Sequence, residues 1–203
     1  MKWFVCVALG LLSLTACSND PPTYPDLLTS FVDMRIASNG QDHWMQTDDG
    51  QQYSVTYMCD MKDLVRDSLY RMVGRYELLD NHKAKVYAVA KTVSSAPQHF
   101  AEFYTDPVKV QSIWQSGSYL NLVLQVMVHD VQHEFAFATE QIDKTNMRIT
   151  LCHDRKDDIE GFYEKVYVSV PLTQYAQWMN DGKALEFCVN TYEGMRSYSL
   201  KPF

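Results

Sequence analysis

Between Tyr119 and Val128 the sequence reads YLNLVLQVMV, with Leu120, Leu122, Leu124, Val126 and Val128 at alternate positions. A period of two places all five side chains on one face of an extended strand and the residues between them on the other. A helix would scatter the same residues around its axis, so this segment reads as a strand with one buried face. The alternation returns in Met147, Ile149 and Leu151, and again in Val166, Val168 and Val170. Each such face needs an apolar cover, so a chain built this way must stack sheets or close one on itself.

The remaining apolar runs fall into two groups. Leu28 to Ile36, His43 to Thr47, Gln52 to Tyr57, Leu69 to Leu79 and Ala84 to Val93 come first. Asp48-Asp49-Gly50 separates the second and third of these, and an Asp-Gly step between apolar runs is a strong hairpin signal. Short strands packed this closely suit a small OB-like barrel, assigned to residues 26–97. Beyond it, Val108 to Trp114, Tyr119 to Val128, His133 to Thr139, Met147 to Cys152, Phe162 to Val170, Leu185 to Tyr192 and Arg196 to Leu200 predict an antiparallel, Ig-like β-sandwich over 98–203. The fold class is therefore all-β. Ser94 to Pro107 interrupts the rhythm and reads as the domain connection, with a short helix expected at Gln98 to Tyr104. A second short helix is expected in LTQYAQWMNDG, closed by Gly182.

The N-terminus carries an address. Lys2, an apolar run from Trp3 to Leu14 and then small residues have the three regions of a secretory signal, assigned to 1–16. The run is too short for a membrane-spanning helix, which needs about 20 apolar residues. Leu14-Thr15-Ala16-Cys17 resembles the lipobox of bacterial lipoproteins, which makes Cys17 the lipid-attachment residue. A soluble secreted form cut after Ser18, with Ala16 and Ser18 as the small pair, is the competing reading. Each buried methylene of an attached chain contributes about 0.8 kcal/mol and two chains already anchor stably, so the three chains of a lipoprotein would hold the protein on a membrane without a spanning helix. Residues 17–25 then form a proline-containing tether of about 3.1 Å per residue. Loss of the signal removes one base, so the mature chain carries 17 bases against 25 acids, a net charge of −8. An acidic surface repels phosphate, which argues against a nucleic-acid partner.

Motifs for chemistry are sparse. His129 and His133 have the spacing of a zinc pair on a helix, but they lie between alternating runs and read as polar residues of a β-hairpin. No metal ligand set and no cofactor are expected. The loop HDRKDDIEG, His153 to Gly161, is rich in carboxylates without the alternating spacing of a calcium loop, and reads as solvated. No nucleophile elbow, HExxH, phosphate-cradling loop or CxxC occurs, so no catalytic residue is nominated. Cys152 and Cys188 fall on outward faces of their strands, paired or free. Trp44, next to the Asp48-Asp49-Gly50 hairpin, and Tyr163 and Tyr167, which alternate with the apolar side of their strand and so face outward, are the candidate ligand contacts.

The order of these features resembles the NigD-like lipoproteins of the Bacteroidetes. The resemblance rests on the lipobox cysteine, YPDLLTSFVDM, TDDGQ in a hairpin and DPVKVQSIWQSGSYLNLVLQV, and it spans the mature chain. It implies an OB-like domain followed by a β-sandwich, and it supplies no catalytic residues. The resulting expectation is a non-catalytic binding module, lipid-anchored to the outer membrane of the cell envelope, with a protein or glycan ligand. A bacteriocin-related immunity or processing factor is the alternative that the family name implies. An envelope hydrolase with a carboxylate pair is the third.

Overall fold

The computed structural model describes residues 25–39, 42–60 and 64–203. Cys17 and the signal segment lie outside the described residues, as does the tether up to residue 24. The first unit consists of β1 (Leu28–Ile36), β2 (Trp44–Thr47), β3 (Gln52–Met58), β4 (Ser68–Leu79) and β5 (Lys83–Lys91). They close in the order β1-β2-β3-β5-β4, with β3 and β5 parallel and the other pairs antiparallel. Closure gives each of the five strands a partner on both sides over part of its length. Val32, Met34, Met45, Met72, Ala84 and Val86 fill its interior. The β4–β5 turn holds Asn81 and His82 at φ of 60° and 52°, the left-handed pair that a tight hairpin of matching twist requires.

The second unit contains two sheets. β6 (Lys109–Ser116), β7 (Tyr119–Val128) and β10 (Phe162–Pro171) form one, in the order β10-β7-β6. β8 (Glu134–Gln141), β9 (Asn146–Asp154), β11 (Ala184–Thr191) and β12 (Gly194–Ser199) form the other, in the order β12-β11-β9-β8. One pair departs from the antiparallel expectation: β11 runs parallel to β9. A 3-10 turn (Thr173–Tyr175) and the helix α1 (Ala176–Asn180) supply the crossover that a parallel pair needs. Gly182 follows at φ 74°, as expected of a residue that closes a helix. Leu120, Leu122, Leu124, Ile149, Leu151, Val168 and Val170 meet Phe137 and Phe187 between the sheets. Truncation of one such side chain, as in Leu122→Ala, costs about 2–5 kcal/mol.

The connection between the units contains no helix at Gln98 to Tyr104; it is an extended strap. Val93 bonds to the edge of β10, donating to the Tyr167 carbonyl at 2.8 Å and accepting from the Ser169 N–H at 2.9 Å. Five residues on, Gln98 does the same to β8, with Phe137 and Thr139. Tyr104 and Asp106 then bond to His153. A helix would satisfy its own backbone, whereas this segment spends its donors and acceptors on two exposed sheet edges that would otherwise invite foreign strands.

The barrel packs on the outer face of the β10-β7-β6 sheet. Arg71 of β4 contacts Ser169 and Asn121, and Tyr119 contacts Asp33 of β1. At the β6–β7 turn Gly117 has φ 52°, and a Cβ there would lie 2.5 Å from the Asp48 carbonyl oxygen. Glycine is thus required both by its backbone angle and by the close approach of the barrel.

Candidate functional site

Where the strap crosses from β10 to β8 it leaves a cleft of about 470 Å³. Val93, Phe100, Phe103, Tyr104 and Phe135 supply apolar wall, with Ala136 and Cys152 from the outer face of the sheet. Glu102, Glu134 and Asp154 bring carboxylates to its lining, and among the described residues no lysine or arginine lines it. A second cleft of about 330 Å³ shares Val93, His133 and Phe135, so the edge of β8 at Phe135 borders both. Cys152 does lie on the outward face, yet it is buried there and unpaired, as is Cys188. Burial pushes the Cys152 thiol above its ordinary pKa, which makes it a poor nucleophile.

Beneath the cleft runs a buried polar chain. Asp158 Oδ2 accepts from the His129 backbone N–H at 2.7 Å and lies 3.3 Å from His133 Nε2. His133 Nδ1 is 2.9 Å from His153 Nε2, and His153 Nδ1 is 3.0 Å from the Asp106 carbonyl oxygen. A carbonyl oxygen only accepts, so His153 carries a proton on Nδ1. A carboxylate also only accepts. A single further proton between the two rings completes every bond of the chain, and with a neutral His153 its Nε2 lone pair accepts from His133 Nδ1. Burial lowers the His153 pKa and favours that neutral ring. For Asp158, burial opposes the charge, but the amides of His129, Asp130 and Val131 together with His133 outweigh it and hold the carboxyl down to about 2. Phe135 stacks on His153 at 4.6 Å and an interplanar angle of 6°.

This arrangement corrects the reading of His153 to Gly161 as a solvated loop at His153 and Asp158, which are buried; residues 155–157 and 159–161 are exposed. Asp158 is 4% exposed and folds back under the β7–β8 loop. Gly161 permits the return, since a Cβ there would stand 2.4 Å from the Val128 carbonyl oxygen. His129 and His133 do not share a face: the first is exposed and the second has its ring buried. Among the described residues, His129, Asp130 and Asp158 bring ligand-type atoms within 4.8 Å of one another. The Asp158 oxygens in that group are already engaged by backbone amides.

The junction between the units is the other dense polar site. The Arg71 guanidinium, with its side chain 4% exposed, lies 2.7 Å from Asp48 Oδ1 as an ion pair whose angle falls outside hydrogen-bond geometry. It donates to Ser169 Oγ at 2.9 Å, to Asn121 Oδ1 at 3.2 Å and to Asp33 Oδ1 at 3.4 Å. The Tyr119 ring stacks under it at 3.8 Å. Burial and the Asp33 carboxylate push the Tyr119 hydroxyl up to about 12. Burial likewise raises Asp33, against the pull of Arg71.

Trp44, Tyr163 and Tyr167 are not brought together. Trp44 is half-buried on the barrel, opposite Arg35 and Ser54. Tyr167 faces outward from β10 as the alternation predicts, but the barrel covers that face and its ring meets Phe31 edge-on at 6.1 Å. Tyr163, 53% exposed, lines a separate cleft of about 300 Å³ with Tyr192, and Lys109 sits 5.6 Å over its ring. Among the described residues no ring contact links Trp44 to either tyrosine.

The model of the NigD-like C-terminal beta sandwich domain matches residues 91–202. Among solved structures, a NigD-like immunity protein from Bacteroides caccae is 25% identical, with a TM-score of 0.69 over 88% of this chain and 93% of that one. A provisionally described toxin-related protein from Parabacteroides distasonis is 19% identical, with a TM-score of 0.67 over 86% and 92%. A provisionally described lipoprotein from Bacteroides fragilis is 11% identical, with a TM-score of 0.64 over 88% and 99%. The last two show the fold alone. No curated protein matches the chain. With the sandwich model matched across more than half of its length, and with a barrel and sandwich like those of the Bacteroides caccae protein, this chain belongs to the NigD-like family.

Proposed function

We propose that the chain is a lipid-anchored protein of the cell envelope, held at the outer membrane through Cys17, whose barrel and sandwich form a non-catalytic binding module for a protein or glycan ligand. The observation that carries this reading is the aromatic, carboxylate-rimmed cleft under the strap, a concave site of ligand size on a rigid frame. The Asp158–His133–His153 chain ends on a backbone carbonyl, and no nucleophile joins it among the described residues. It therefore supports the frame rather than a hydrolytic step. Among the described residues no helix is long and apolar enough to cross a membrane; the proposed anchor rests on Leu14-Thr15-Ala16-Cys17.

Two measurements test the reading. Cys17→Ala should move the protein from the membrane fraction to the soluble one and abolish labelling by a fatty acid; an unchanged distribution would refute the anchor. Pull-down of the lipidated protein from its own envelope, run beside a glycan screen, should give a saturable ligand. Failure of both arms would remove the binding reading. The description of the Bacteroides caccae relative as an immunity protein favours a second reading, an immunity factor. Deletion of the gene would then sensitise the cells to an inhibitory peptide or protein encoded beside it.

A further inference from the structure

The strap protects the edge of β8 unequally. In the β8–β9 ladder, Phe135, Phe137 and Thr139 turn their backbone groups away from β9, toward the open edge. Gln98 engages two of these groups, the Phe137 carbonyl and the Thr139 N–H. The Phe135 N–H and C=O and the Phe137 N–H have no partner among the described residues, because between Val93 and Gln98 the strap is crossing from the other sheet. Three groups with strand spacing thus face the cleft at the place where Phe135 borders both of its lobes.

The second lobe carries Lys91 and Lys165 beside Glu164, so the charge that selects a partner is that of the first lobe, under Phe100 and Phe103. Glu102 has no cationic partner among the described residues, Asp154 is bonded only to a backbone amide, and Glu134 is paired with Lys156. A second copy of this chain would bring its own carboxylates against these. A basic strand would satisfy both the charges and the unpaired edge.

We propose that the edge of β8 at Phe135 and Phe137 accepts an extended segment of a partner protein, basic and apolar in alternation, as an added strand. The proposal rests on the binding-module reading and names the ligand as protein rather than glycan. Backbone bonds to Phe135 and Phe137 set the register. Apolar side chains of the segment enter between Phe100, Phe103 and Val93, and basic ones reach Glu102 and Asp154.

The test uses the full-length protein, labelled with nitrogen-15 in nonionic detergent micelles. The probe is a capped heptapeptide alternating lysine and valine. The expected result is saturable binding in which the Phe135 and Phe137 amides shift and become protected from hydrogen exchange. A glutamate-for-lysine peptide, and a lysine–valine peptide N-methylated on alternate amides, should each bind at least about tenfold more weakly. The Glu102→Gln variant, on the exposed strap, should weaken the lysine peptide and flatten its salt dependence without changing the melting temperature. Equal binding by the N-methylated peptide, shifts that map away from β8, or no saturation by about 1 mM would overturn the proposal. The same shifts appearing with protein concentration alone would give the edge to a second copy and overturn it too. A glycan that binds saturably while the peptide does not would overturn the strand and leave the binding module standing.

Discussion

Replacing Arg71 by methionine removes a cation that four groups converge on while roughly preserving the volume of its side chain. The Asp33 and Asp48 carboxylates, and the Asn121 and Ser169 oxygens, would then face a buried thioether. Removing one partner of a buried ion pair costs about 3–5 kcal/mol, because the remaining charge stays desolvated and unpaired. Because Arg71 side-chain exposure is only 4%, little solvent is at hand to relieve that cost. For a chain of this size each kcal/mol moves the melting temperature by about 2–4 °C, so Arg71→Met should lower it by about 6–20 °C. The loss should also separate the units: calorimetry of the parent should show one transition and the variant two, barrel and sandwich apart. Adding Asp48→Asn should return part of the loss, since it removes one of the abandoned charges. A variant that melts within about 2 °C of the parent, in one transition, would refute the view that this cluster holds the units together.

Other perturbations give narrower outcomes. Gly117→Ala should cost more than about 1 kcal/mol in urea titration, since it combines a left-handed backbone with a Cβ driven against Asp48. Gly182→Ala, left-handed at φ 74° but facing open space, should cost less than Gly117→Ala in the same titration. Stability should fall on acidification in two stages. His153, its pKa depressed by burial, stays neutral while the unfolded chain takes up a proton below about pH 6.5. Asp158, held at about 2, contributes stability above its unfolded value and loses it as pH falls from about 4 toward 2. Asp158→Asn should diminish the second stage of an acid titration followed by near-ultraviolet circular dichroism, leaving the part due to Asp143, also held at about 2 by hydrogen bonds from Thr145 and Asn146. Native-state alkylation should modify half-buried Cys59 before Cys152: burial raises the pKa of both thiols, but it hides only the Cys152 thiol from the reagent.

How much was legible in the sequence follows from how far apart the interacting residues are. The strands of YLNLVLQVMV and its counterparts rest on local alternation, and β7 spans the predicted residues. Alternation also turned Tyr167 to the correct side of its strand. It carried no information that the barrel would cover that side, a fact set by Phe31, which is distant in sequence. Arg71 and Ser169 lie 98 residues apart, and neither belongs to a motif. Asp158 sits among Asp154, Asp157 and Glu160, and only the return of its loop onto the His129 amide distinguishes it from those neighbours. A faint signal existed in Gly161, which closes a loop at a close backbone approach. The strap was misread because prolines and the absence of a period mark a departure from regular strands, without telling a helix from an edge-binding extended segment.

The strap bears on how firmly the two units are joined. Lys91 still pairs with Met72 in the barrel wall, and Val93 already pairs with Val168 in the sandwich, so Thr92 is the only residue between two hydrogen-bonded frames. A linker of one residue gives the facing surfaces a very high effective concentration for each other, and almost no chain entropy is left to lose when they dock. Polar contacts of modest individual strength then suffice to fix the orientation. Lengthening the chain at Thr92 by a few glycines would dilute that local concentration, turning one rigid body into two that meet only part of the time.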